Sequence, residues 1–115
     1  MAERERLSMS VFFEYKGWHF EWDSEKEAKN IRVHGINFKH AAKFFRDGES
    51  VIYLDHKHSI VEPRWVNLGL DQSRLLAVSV TWRETETGKT SYRIISAHRI
   101  SPKKVSKHRK RLGKR

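Results

Sequence analysis

The sequence predicts an α+β domain: two short helices packed on an antiparallel β-sheet, followed by a basic C-terminal helix or tail. Three observations predict it. Strict apolar alternation marks residues 18–22 as a strand, and residues 75–83, with Leu76, Val78, Val80 and Trp82 on one face, give the strongest strand signal. Capping residues and a glycine bracket two helical runs between residues 23 and 46. Beyond residue 50, strand-like runs follow one another over links of hairpin length, which argues for an antiparallel meander with the helices on one face.

In chain order, residues 1–9 are polar and expected to fray. Val11, Phe13 and Tyr15 alternate with Phe12 and Glu14; after Lys16-Gly17, Trp18, Phe20 and Trp22 alternate with His19 and Glu21, so two strands around a tight turn are expected. Asp23 fits a helix N-cap, with Glu25 and Glu27 where the helix dipole favours negative charge. In this first helix Ala28 and Ile31 form a narrow apolar stripe. Gly35 falls where a left-handed C′ residue ends it, and His34 beside it suits a helix C-terminus. Asn37 caps a second helix, residues 38 to about 46, with Ile36 and Ala41 placed as a hydrophobic staple. Phe38, Ala41, Ala42 and Phe45 give it the stronger core face.

Asp47-Gly48 ends the helical pair. Residues 50–55 read as a strand, 56–63 as a polar loop, 64–70 as a strand, Asp71-Gln72-Ser73 as a turn, 75–83 as the strongest strand, 84–89 as a hairpin loop and 90–97 as a further strand. Leu76, Val78, Val80 and Trp82 share one face of the strongest strand. Ser101-Pro102 can start a terminal helix. The expected organisation is one domain over residues 1–102 and a basic segment over 103–115.

With 115 residues, 37% of them hydrophobic, the chain can build one modest core. It has no apolar run approaching the roughly 18 residues of a membrane span and no signal-peptide pattern, so a cytoplasmic protein without membrane contact is expected. The absence of Cys excludes disulfides, thiolate catalysis and Cys-based zinc sites. The net charge of +10 is concentrated: of 24 Lys and Arg, eight lie in residues 103–115, which leaves 16 against 14 acids elsewhere. Such a segment either speeds encounter with a polyanion or is simply a solvated end.

No phosphate-binding glycine loop, Gly-x-Ser-x-Gly or His-Glu-x-x-His motif is present. His56-x-His58 is either half of a metal site or a pair of solvated loop side chains. More informative are the polar groups flanking the strands: Glu62, Arg64, Arg83, Arg93, His98 and Arg99. A meander can bring them to one face or edge. An RNA-cleaving site needs little more: an acid or base for the 2′-hydroxyl and the leaving 5′-oxygen, and cations for the charge growing on the phosphate. Arginine suits that last role because its fork is planar and bidentate. A metal is unnecessary when the 2′-hydroxyl is the nucleophile. The same groups also fit ordinary strand-edge charges, with Glu62 and Arg64 as a surface pair; residue types and spacing leave both readings open.

The pattern Asp23-x-x-Lys26-x-x-x-Asn30-x-x-x-His34-Gly35-x-x-Phe38-x-x-Ala41 resembles the BrnT family of type II toxin–antitoxin systems. So do Phe20-Glu21-Trp22-Asp23, His58-Ser59, Glu62-x-Arg64-Trp65, Gly69 and Arg93-Ile94-Ile95-Ser96-Ala97, and together they cover about residues 18–103. The resemblance implies a RelE-like ribonuclease fold and a toxin that cleaves RNA and arrests growth. It implies a BrnA-type antitoxin with a ribbon-helix-helix DNA-binding domain, through which alone the toxin would be linked to DNA. Carried over by position, Glu62, Arg64 and Arg93 are expected to be catalytic, and Lys26 and His58 fall on family positions. His98 stands where the family usually has Arg; a histidine there can hold phosphate or transfer a proton. Lys104 occupies the place of a family Glu, and no Tyr follows Tyr92.

The expectation is therefore an endoribonuclease without cofactor or metal. Arg64 and Arg93 neutralise the scissile phosphate, His98 or Glu62 transfers protons, and Lys26, His58, Arg83 and Arg99 bind RNA, with the basic segment adding contacts to its backbone. The alternative is a basic nucleic-acid-binding or partner-binding module without catalysis.

Overall fold

The computed structural model describes residues 8–59, 61–101 and 103. Residues 1–7, and all but Lys103 of the expected basic helix, lie outside the described residues. The chain runs β1 (Ser10–Tyr15), β2 (Trp18–Asp23), α1 (Ser24–His34), α2 (Phe38–Asp47), β3 (Ser50–Leu54), a 3₁₀ turn (His56–His58), β4 (Trp65–Asp71), β5 (Arg74–Glu84) and β6 (Thr90–Arg99). The six strands form one sheet in the order β1-β2-β6-β5-β4-β3. This is the expected α+β arrangement of two helices on a mostly antiparallel sheet. None of the described helices is long and apolar enough to cross a membrane.

Local chemistry accounts for the boundaries. The β1–β2 turn has Lys16 at φ 50° and Gly17 at φ 85°, the paired left-handed conformation whose twist matches a two-residue hairpin. Asp23 accepts the Lys26 amide at 2.9 Å and starts α1; Gly35, at φ 74°, donates its amide to Ile31 at 2.8 Å and ends it. The Asn37 side chain accepts from the His40 amide at 2.8 Å and starts α2.

The sheet has one parallel pairing, β2 with β6, which an unbroken antiparallel meander does not contain. The connections explain it. The helical pair carries the chain from β2 to the far edge, and the antiparallel run β3-β4-β5-β6 then returns it to the side of β2. One face of the sheet holds the main core: Phe20 and Trp22 from β2, Leu76, Val78 and Val80 from β5, Ile94 and Ala97 from β6, and Phe38, Ala41, Ala42, Phe44 and Phe45 from α2. Fully burying one of the Val, Leu, Ile or Phe side chains among them stabilises by about 1.5–3 kcal/mol. The opposite face is uncovered by helix. It carries a smaller cluster of Tyr53, Val66, Leu68, Ala77 and Ile100 at its β3–β4 side.

The apolar stripe expected on α1 does not face the core. Ala28 and Ile31 are exposed, and the buried residue is Asn30. The cause lies in the sheet. β2 pairs with β6 only as far as Arg93, so the rest of that edge of β6 has no strand beside it. Asn30 takes the strand's place: its Nδ2 donates to Ala97 O at 2.8 Å and Ile36 O at 2.9 Å, and its Oδ1 accepts from Ala97 N at 3.1 Å. Glu27, one turn earlier, accepts from the Trp22 indole at 3.0 Å and the Phe38 amide at 2.9 Å. Thus α1 is fixed by polar contacts where backbone groups need partners.

A bulge in β6 decides what the uncovered face displays. Ser79 pairs with Ser96 and Val80 with Ile94, so Ile95 is the extra residue. Without it, Arg93 and His98, five positions apart, would sit on opposite faces. With it, Arg93, Ser96 and His98 share the uncovered face, opposite Thr81, Ser79 and Ala77.

Candidate active site

On that face Asp55, His58, Arg64, Ser79, Ser96 and His98 line a cleft of about 280 Å³, floored by Val66, Ala77 and Ile95. Its chemistry comes from two places. β6 supplies Ser96 and His98, aimed by the bulge. The loop between β3 and β4 supplies His58 and Arg64, and that loop is clamped at its neck. The Asp55 amide donates to Arg64 O at 2.8 Å; the Ser59 hydroxyl donates to Asp55 O at 2.6 Å and accepts the Arg64 amide at 3.0 Å. Ser59 therefore holds the two ends of the loop together.

Asp55 is buried at the end of β3, and its Oδ2 lies 2.9 Å from His58 Nδ1. With Asp55 ionised, a state in which a carboxylate can only accept, Nδ1 is the donor of that bond and Nε2 is the nitrogen left open. The His58 side chain is 56% exposed. No carboxylate pairs with the Arg64 side chain among the described residues, while the Arg64 backbone is fixed at both N and O. His98 has the ring of His34, from the end of α1, at 5.3 Å between centroids.

A second group of charges lies on the same face. Glu21 is buried and accepts from Arg83 Nη2 at 2.8 Å and Arg93 Nη1 at 3.5 Å. The Arg83 side chain is 68% exposed and that of Arg93 32%, so both guanidiniums are anchored at one end and open to solvent. Next to the cleft, and sharing Ile95 and Ser96 with it, a groove of about 290 Å³ is lined by Lys26, Lys29, Asn30, Val33 and His34.

The expected site residues are thus distributed unevenly. Arg64, His98 and His58 meet in the cleft, Arg83 and Arg93 stand beside it, and Lys26 lines the neighbouring groove. Glu62 sits in the exposed part of the β3–β4 loop, outside the cleft lining, with no ion-pair partner among the described residues. Arg99 belongs to the helix-covered face, opposite Leu76, where it donates to Asp71 Oδ2 at 2.9 Å and Asp71 O at 2.8 Å. His40 from α2 joins that carboxylate at 2.7 Å, so Asp71 ties the β4–β5 turn to both β6 and α2. Asp55 and Glu21 were not among the expected site residues. An Asp three residues before a His, at the end of a strand, was the available signal for the first; the second stood in the Phe20-Glu21-Trp22-Asp23 motif, which did not reveal its arginine partners.

Two findings from comparison bear on this geometry. A family model described as the ribonuclease toxin BrnT of type II toxin–antitoxin systems matches residues 22–104. No curated protein matches the chain.

Proposed function

The chain belongs to the BrnT family of ribonuclease toxins, and on that premise we propose that the His58–Arg64–His98 cleft is a metal-independent endoribonuclease site. The observation that carries the proposal is the placing of two imidazoles, one held by a buried carboxylate, around an arginine on an uncovered sheet face.

His58, oriented by Asp55, removes the proton of a 2′-hydroxyl. The 2′-oxygen attacks the adjacent phosphorus, the bond from phosphorus to the 5′-oxygen breaks, and His98 gives a proton to that departing oxygen. Arg64 neutralises the charge that builds on the non-bridging oxygens. The products are a 2′,3′-cyclic phosphate and a 5′-hydroxyl. Arg93, anchored by Glu21, adds positive potential from the neighbouring row. Lys26, in the groove beside α1, and the basic residues 103–115 engage the RNA backbone. Glu62 and Arg99 receive no step, one for its place outside the cleft and the other for its place on the far face.

As a type II system toxin, the protein works against an antitoxin partner. We assign that partner to the BrnA type, a ribbon-helix-helix protein that neutralises the toxin and links it to DNA. Expression alone should arrest growth, and co-expression with a ribbon-helix-helix protein encoded beside it should restore it.

The direct experiment incubates purified protein with RNA, with and without EDTA, beside His58→Ala, Arg64→Ala and His98→Ala. Cleavage that survives EDTA and falls on the order of 10²–10⁴-fold in each variant supports the site. Salt-sensitive RNA binding without cleavage, and no effect on growth, would identify a non-catalytic binding module instead.

A further inference from the structure

Strand β1 precedes the stretch that the family matches, and it adds to the uncovered face. Of its residues, Val11, Phe13 and Tyr15 pack against the main core on the other side. The Tyr15 hydroxyl donates to Asp47 of α2, and Lys16 reaches the same carboxylate at 3.1 Å, so β1 is tied down. Phe12 points away from all of this and is 74% exposed.

Register fixes what stands beside it. Phe12 is opposite Glu21, Glu21 is beside Arg93, and Arg93 is opposite Thr81. These four residues form one row across β1, β2, β6 and β5. With strands about 4.8 Å apart, Phe12 stands roughly 10 Å from the Arg93 position. The next row of the same face, Ser79 with Ser96, is already the lining of the cleft. An exposed phenyl ring, two guanidiniums anchored on a buried carboxylate, and the cleft are therefore consecutive features of one surface.

We propose that Phe12 is a stacking platform for a base of single-stranded RNA near the scissile bond, with Arg83 and Arg93 holding the phosphates between that base and the cleft. The inference rests on the ribonuclease reading above and extends its site to β1. Single strands are held by this combination, an aromatic face for a base and a cationic path for the backbone. The charge pattern sets the direction of the strand. Glu14, opposite His19, occupies the outer part of the same face of β1, so a phosphate backbone is favoured over the arginines and only the base extends to Phe12. The two arginines outweigh the one carboxylate they share, which suits a polyanion better than an apolar protein surface.

The test measures binding of a fluorescein-labelled short single-stranded oligoribonucleotide carrying 2′-O-methyl riboses, which removes the nucleophile, to the full-length protein. Phe12→Ala should weaken binding about tenfold, Phe12→Trp should restore it, and Arg83→Ala should weaken binding and flatten its salt dependence. Sedimentation of the same variants reports whether Phe12 instead joins two copies of the chain. Unchanged affinity in Phe12→Ala, or loss of a dimer in that variant, overturns the proposal and leaves the ribonuclease reading standing. A wild-type protein that neither binds this probe nor cuts RNA overturns both.

Discussion

Replacing Asn30 by Ala removes the side chain that substitutes for a strand at the free edge of β6. Three hydrogen bonds go, leaving the amide and carbonyl of Ala97 and the carbonyl of Ile36 without their partner in a buried place. Each buried backbone group left unsatisfied costs about 1–3 kcal/mol, less where water can enter the space vacated. Taking the lower part of that range for three groups gives a loss of about 3–5 kcal/mol, a large share of the roughly 5–15 kcal/mol that holds a domain folded. Asn30→Asp should be worse still. It keeps the acceptor for Ala97 N, loses both donors, and directs a carboxylate at two carbonyl oxygens. Urea unfolding reads the effect as a lower midpoint at constant slope. A loss below about 1 kcal/mol for the Ala variant would mean that water satisfies the edge and that Asn30 does not fix α1 to the sheet.

Other expectations come from single contacts. Arg64→Lys keeps the charge but loses the planar fork, so cleavage should drop on the order of 10²-fold while the salt dependence of RNA binding persists; full activity in the Lys variant would reduce Arg64 to a point charge. A Cβ on Gly69 would meet Glu49 O at 2.5 Å and Ser50 Cβ at 2.7 Å, so Gly69→Ala should cost about 1–3 kcal/mol by forcing β3 from β4, read in urea melts. The Asp23 carboxyl is held below its ordinary 3.8, first by the hydrogen bond from Ser8 and then by the amides of the first turn of α1, against partial desolvation. Its folded value is the lower one, so its contribution is complete above the unfolded value and disappears as pH falls through the folded value. Melting temperature against pH should therefore fall more steeply below about pH 4 in wild type than in Asp23→Asn, and parallel curves would refute the cap's part in acid stability.

Much of the frame was legible because it is written in local chemistry. Asp23, Gly35 and Asn37 announce the helix ends through groups within three or four residues, and Lys16-Gly17 announces the first turn. The strong faces of α2 and β5 follow from period alone. What escaped depends on partners distant in sequence. The inward face of α1 is polar because β6 leaves an edge open there, and no property of residues 24–34 reveals that edge. The parallel pairing of β2 with β6 follows from where the meander returns, not from either strand.

The lining of the candidate site was legible in part, and for the same reason. Residue types pointed to Arg64 and His98, yet whether Arg93 and His98 share a face turns on the extra residue Ile95, which alternation does not show. Asp55 looked like the end of a strand; its value comes from the 3₁₀ turn that brings His58 back onto it. Arg99 looked equivalent to Arg93, and the bulge sent it to the other face, where Asp71 and His40 take it up.

The central claim is that the cleft cuts RNA by using the substrate's own 2′-hydroxyl. It is tested most directly by mapping a cut on a short RNA, replacing that one 2′-hydroxyl by hydrogen, and analysing the product ends. Cutting at that position should stop, and cutting of the unmodified strand should leave a 2′,3′-cyclic phosphate and a 5′-hydroxyl whether or not EDTA is present. Continued cutting at the 2′-deoxy position, or 5′-phosphate ends formed only with a divalent metal, would contradict it.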